Sequence, residues 1–110
     1  AGMPLLVGTD SGVMGLTPGA ATHRELALLV QAGLAPWQAL EAATGAAGQF
    51  VAPGGTLGTV TAGAPADLLL VDGDPLQDIG ATTQIACVLR EGRVVARACE
   101  GDSGDPACCL

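Results

Sequence analysis

The 110-residue sequence predicts an α/β fold in which one strand and two helices run into a small β-subdomain. Three observations predict it. Leu5-Leu6-Val7 is a short apolar run closed by Gly8, and residues 22–32 carry apolar side chains at helical spacing. Past Pro53-Gly54-Gly55 the pattern changes to short runs of strand formers divided by turn residues. Strand, helix, helix and then three or four strands is the order found where an α/β unit ends and a β-subdomain begins.

In chain order, Leu5–Val7 reads as a buried strand, followed by the glycine-flanked acid of Gly8-Thr9-Asp10-Ser11-Gly12. A loop with Gly15, Pro18 and Gly19 comes next. Thr22-His23-Arg24-Glu25 has the form of a capping box, in which Thr22 accepts from the backbone near Glu25 and Glu25 reaches back. Leu26, Leu29, Val30 and Gly33 follow at i, i+3, i+4 and i+7, so a helix runs to about Ala32 and Gly33 stops it. Pro36 suits the first turn of a second helix. Trp37, Leu40 and Ala43 form its packed face, and Gly45 closes it near Thr44. Its weak point is Ala35 at the N-cap, where Ser or Thr would stabilise by about 1 kcal/mol.

Leu57-Gly58-Thr59-Val60 reads as a short strand and residues 61–65 as a turn. Asp67-Leu68-Leu69-Leu70-Val71-Asp72 is an apolar run bounded by acids, the pattern of a central strand buried on both faces. Gly73-Asp74-Pro75 ends it. Ile85–Arg90 and Arg93–Ala96 form a β-hairpin over Glu91-Gly92, with glycine supplying a positive φ. Residues 97–110 are small and polar, which predicts a disordered tail.

Composition narrows the function classes. Apolar residues make up 49% of the chain but aromatic ones only 2%, so Ala, Gly, Leu and Val must fill the core. Such cores hold where backbones pack closely, as in the shell of a larger α/β enzyme. The chain also begins at Ala1 and enters its first apolar run at once, and the expectation is a piece of something bigger. A net charge of −7, with four scattered arginines and no lysine, excludes the clustered positive charge that nucleic acid or an anionic membrane surface requires. No basic leader precedes the first apolar run, and no stretch approaches the roughly 18 apolar residues of a membrane span. The expectation is a soluble, cytoplasmic protein. Cys87, Cys99, Cys108 and Cys109 show no C-x-x-C spacing, and read as free thiols in a reducing compartment.

The strand ending in Gly8-Thr9-Asp10, then "HRELALLVQAGLAPWQALEAAT", "GTLGTVTAGAPADLLLVDGDPLQDI" and "VLREGRVV", together resemble the C-terminal end of the metal-dependent amidohydrolase superfamily. The nearest branches are the imidazolonepropionase-like and prolidase-like ones. The resemblance implies a (β/α)8 barrel whose last strand and terminal helices are residues 1–50. It assigns 51–96 to strands of a composite β-sandwich subdomain. Metal sites in such barrels lie at the C-terminal ends of the strands. The eighth strand there ends in an aspartate, and Asp10 falls on that position.

By this resemblance Asp10 is both a metal-site ligand and the catalytic proton shuttle. The implied cofactor is a divalent metal, zinc in one or two ions, held by the full-length parent. The implied reaction is hydrolysis of an amide, lactam or dipeptide C–N bond. A metal lowers the pKa of its bound water to about 7 and polarises the carbonyl. The carboxylate then takes a proton and delivers it to the leaving nitrogen, with Thr9 and Ser11 placed to hydrogen-bond around it. From local sequence alone, an Asp in a glycine-rich turn more simply bonds its own backbone.

A catalytic zinc takes three protein ligands. The chain has no His-x-His, no lysine and a single histidine, so by itself it is expected neither to hold metal tightly nor to catalyse. His23 reads as an exposed histidine at a helix start, Glu25 as a capping partner and Trp37 as a helix-packing residue. Asp67, Asp72, Asp74 and Asp78 read as turn and edge acids, because no D-x-D-x-D-G run is present. The alternatives are a non-catalytic truncated scaffold that depends on a partner, and an independent binding module. A fragment would also self-associate through its unpaired strand edge.

Overall fold

Helical spacing around Leu26 builds α1 (Ala20–Gln31) in a computed structural model that describes residues 3–97. Its end is the predicted one. Gly33 takes φ 111°, and the Gly33 and Leu34 amides donate to the Val30 and Leu29 carbonyls at 3.0 and 3.1 Å. That paired closure requires a left-handed residue just past the helix.

The start of α1 differs from the expectation. The helix begins two residues before Thr22, with Gly19 at the N-cap and no side-chain cap. The Thr22–Glu25 capping box does not form. The Ala21 and Thr22 amides already donate to the Thr17 and Gly19 carbonyls, which leaves the Glu25 carboxylate for a more distant donor. It accepts from the Gly8 backbone N–H at 3.0 Å.

Pro36 opens α2 (Pro36–Ala43) at its first helical position. Ala35 offers no side-chain acceptor, but Gln38 Oε1 accepts the Ala35 N–H at 2.9 Å, half of a reciprocal cap. The buried residues of α2 are Ala39 and Ala42, with Leu40 and Ala43 half-buried beside them. Trp37, expected on the packed face, is 60% exposed. Small side chains let α1 approach α2, and the indole is left on the flank.

A third helix, α3 (Gly45–Val51), starts where Gly45 was expected to end the helical region. The poor helix propensity of glycine hides it in the sequence. A Cβ on Gly48 would lie 1.9 Å from the Leu57 carbonyl oxygen, and one on Gly58 2.2 Å from that of Thr44. These two glycines let α3 and the following loop meet backbone to backbone. Leu57–Val60, predicted as a strand, is part of that loop and consists of turns.

The sheet is antiparallel with order β1-β2-β3, from β1 (Leu68–Val71), β2 (Ile85–Arg90) and β3 (Arg93–Arg97). The Leu68–Val71 run was expected at the centre, yet it lies at an edge with Leu69 46% exposed. A continuous apolar run does not state how many neighbours a strand has. The hairpin is as predicted, and both Glu91 (φ 50°) and Gly92 (φ 75°) are left-handed, the type I′ geometry that matches strand twist. The turn is docked by the Asp67 carboxylate, which accepts the Glu91 N–H at 2.7 Å, and by the Ala66 carbonyl, which accepts the Gly92 N–H. Cys87 is buried in β2 and disulfide-bonded, which corrects the free-thiol expectation for it. Motif spacing tests for metal and redox sites but carries nothing about partners distant in sequence. Arg97, the first residue of the predicted 97–110 tail, instead ends β3 because it pairs with Cys87, and the rest of that tail, with Cys99, Cys108 and Cys109, lies outside the described residues.

The core gathers Leu26 of α1, Ala39 of α2 and Ile79, with Val7, Leu29 and Leu40 partly buried against them. Ile79 opens a 3-10 helix (Ile79–Thr83) whose N-cap, Asp78, accepts from the Gly80 N–H. The helical corner and the approach to β2 therefore share one core. Leu5–Val7 belongs to no sheet, and Leu5 is 53% exposed. A strand is completed by a ladder partner, and none of the described residues supplies one. Instead the Val7 N–H donates to the Ala42 carbonyl of α2 at 3.1 Å. Among the described residues no helix is long and apolar enough to cross a membrane.

Candidate functional site

Asp10 stands where the segment begun by Leu5–Val7 turns into the glycine-rich loop. Its backbone is left-handed, φ 48°, a region that glycine enters freely, Asn and Asp less readily and other residues seldom. Its side chain is exposed and makes no hydrogen bond or ion pair among the described residues. The local bond to its own backbone, expected of a simple turn former, is absent. A left-handed residue that is not glycine costs roughly 1–2 kcal/mol, and such positions cluster at functional sites.

Two helices hold the backbone just ahead of Asp10. The Val7 N–H reaches α2 through the Ala42 carbonyl, and the Gly8 N–H reaches α1 through Glu25. Downstream, Ser11 and Val13 form an isolated bridge, and the Gly12 N–H donates weakly to the Leu16 carbonyl at 3.4 Å. Val13 is 55% exposed and Met14 is fully exposed. A groove of about 390 Å³ lined by Thr9, Leu16, Ala21, Arg24 and Glu25 runs beside the segment, while Asp10 stands outside it.

Most of the other candidates have structural employment. His23, expected to be exposed, is half-buried with Nδ1 3.1 Å from Thr82 Oγ1. The Thr82 hydroxyl spends its proton on the Ile79 carbonyl at 2.8 Å, so His23 Nδ1 carries a hydrogen and donates. This bond ties α1 to the 3-10 helix. Asp67 and Asp78 accept backbone N–H groups as described, and Asp74 accepts that of Leu76 at 2.9 Å. These are the turn roles their sequence setting predicts. Glu25 is the residue whose role sequence reasoning misassigned. A glutamate near a helix start is locally a capping partner, and only the tertiary fold brings Gly8 to it.

Among the described residues no three His, Cys, Asp or Glu side chains converge as a metal site would require. The donor set fits a metal only in part. Asp10 offers one free carboxylate, whereas His23 and Glu25 are committed to Thr82 and Gly8. A catalytic ion would take its remaining ligands from outside these residues.

Residues 1–95 match the sequence pattern of the Amidohydrolase family. A crystal structure of an amidohydrolase is similar at 27% identity with a TM-score of 0.66, over 77% of this chain and 22% of its own. That of an uncharacterised protein gives 26% identity and a TM-score of 0.55, over 76% and 30%. That of a prolidase complexed with N-methylphosphonate-L-proline gives 25% identity and a TM-score of 0.52, again over 76% and 30%. The chain thus spans less than a third of the length of these structures. No curated protein matches it.

Proposed function

This chain belongs to the amidohydrolase family, and from that premise we propose that it is the C-terminal portion of a metal-dependent hydrolase of carbon–nitrogen bonds. In this reading Leu5–Thr9 is the last strand of a (β/α)8 barrel, the helices close the barrel wall, and the sheet joins a composite β-sandwich. Asp10 is the chain's contribution to the chemistry.

A divalent ion, bound by the whole protein, would supply Lewis acidity toward water and the scissile carbonyl, and Asp10 would be the residue of this chain that helps hold it. The Asp10 carboxylate would also serve as the base that takes a proton from water and returns it to the departing nitrogen, so that the group leaves as an amine. Being short, the side chain keeps this acceptor close to the strand end. The substrate class is a small amide, lactam or dipeptide. The dipeptide option is supported by the prolidase among the similar structures, whose bound ligand carries a proline.

The observation that carries this reading is the unengaged, exposed carboxylate of Asp10 at a left-handed backbone position. It is tested by Asp10→Asn in the full-length protein. The asparagine keeps the size and loses the base. Hydrolysis of amide and dipeptide substrates should fall by about 10²-fold or more, with the thermal midpoint unchanged. A variant of undiminished rate would refute the role.

A non-catalytic, partner-dependent unit is the second reading. Met3, Leu5, Trp37 and Phe50, all more than half exposed, favour it, because such side chains call for cover.

A further inference from the structure

The carboxylate of Asp10 has no partner to aim it, so its direction is set by the backbone alone. That backbone is gripped just upstream. Adjacent residues of an extended chain point their N–H groups to opposite sides, and here the Val7 N–H goes to Ala42 of α2 while the Gly8 N–H goes to Glu25 of α1. Downstream, Gly12 (φ 118°) and Gly15 (φ 89°) carry the loop away from it, and the backbone bond made there from the Gly12 N–H to the Leu16 carbonyl is a long 3.4 Å. A left-handed aspartate persists only where its surroundings over-determine it.

We propose that Glu25 is a positioning residue for Asp10: by accepting the Gly8 N–H, it sets the direction in which the Asp10 carboxylate projects. The proposal rests on the reading of Asp10 given above. Glu25 touches neither substrate nor ion in it. The bond needs an acceptor at a given reach, not a negative charge. Glutamine keeps both acceptor and reach, aspartate is one methylene too short, and alanine has neither.

The test uses the full-length protein with Glu25→Gln, Glu25→Asp, Glu25→Ala and Asp10→Asn. Three quantities are read: the exchange rate of the Gly8 amide, the visible spectrum after loading with cobalt(II) alone, and kcat against KM. The expected result is faster Gly8 exchange, an altered cobalt spectrum and kcat lowered roughly tenfold or more in E25A and E25D. KM should stay nearly constant, and E25Q should match the parent in all three.

If E25Q behaves like E25A, the charge matters and the proposal falls. If E25A lowers only the thermal midpoint, leaving spectrum and kcat unmoved while D10N alters both, Glu25 is a structural tie and the proposal falls alone. If D10N itself is silent, the reading of Asp10 fails and takes the positioning role with it. Gly8 exchange still separates the two failures, because it reports the Glu25 bond without reference to Asp10.

Discussion

Gly48 offers a sharp test of the packing argument. In the middle of α3, a glycine-to-alanine change should by helix propensity stabilise by about 1 kcal/mol. The tertiary structure reverses the sign. The new Cβ would sit 1.9 Å from the Leu57 carbonyl oxygen, which must withdraw to the ordinary 3.4 Å or beyond. It has little room to do so, because Gly58, next in the chain, is itself packed against the Thr44 carbonyl. Overpacking costs about 1–3 kcal/mol, and a backbone obstacle this close belongs at the upper end. After the propensity gain, a net loss of about 2 kcal/mol remains. Urea unfolding of the 110-residue chain, followed through Trp37 as its sole tryptophan, should show a midpoint lowered by roughly 1 M at unchanged slope. Gly33→Ala is the comparison. It meets no atom within 4 Å but has φ 111°, so it should cost about 1–2 kcal/mol for the left-handed backbone alone. A G48A midpoint equal to or above that of the parent would show that the loop yields freely and refute the close-approach argument.

Ala35→Ser should raise stability by up to about 1 kcal/mol, because its hydroxyl would give the first-turn amides a side-chain acceptor beside the Ala35 carbonyl that the Gln38 N–H now uses. Calorimetry checks it, and no gain would mean the serine rotamer is diverted. Thr82→Val removes both a donor to Ile79 and the acceptor of His23 at a buried position, so a loss of about 1–3 kcal/mol is expected in urea unfolding. The isolated chain, dialysed against buffer without metal, should retain no stoichiometric divalent ion by elemental analysis, since no three ligand side chains converge among the described residues and a catalytic zinc needs three. A retained equivalent would refute the expectation that this chain by itself holds no metal tightly.

Asp10 was singled out by its glycine-flanked setting and by resemblance, and both pointed to a strand end. Whether its carboxylate turned inward onto its own backbone was not readable from five residues of context. That depended on how Val7 and Gly8 are held, and their partners lie 35 and 17 residues away. His23 shows the same limit. Its position near the start of α1 was evident, but its half-buried bond to Thr82 spans 59 residues.

What the sequence by itself determined is the local punctuation: Gly33 ending α1, Pro36 opening α2, Glu91-Gly92 turning the hairpin, and Asp74 and Asp78 anchoring turns. Each is decided within a few residues by φ preference or by a side chain bonding its neighbours' amides. Tertiary structure alone decided that, among the described residues, Leu5–Val7 and Leu57–Val60 find no ladder partner and β1 has one neighbour, that α3 exists despite its glycines, and that Glu25 holds Gly8. A strand's identity belongs to its ladder partner, and a carboxylate bonds whichever unsatisfied donor the fold delivers. Both are properties of segments distant in the chain, which no short window of residues contains.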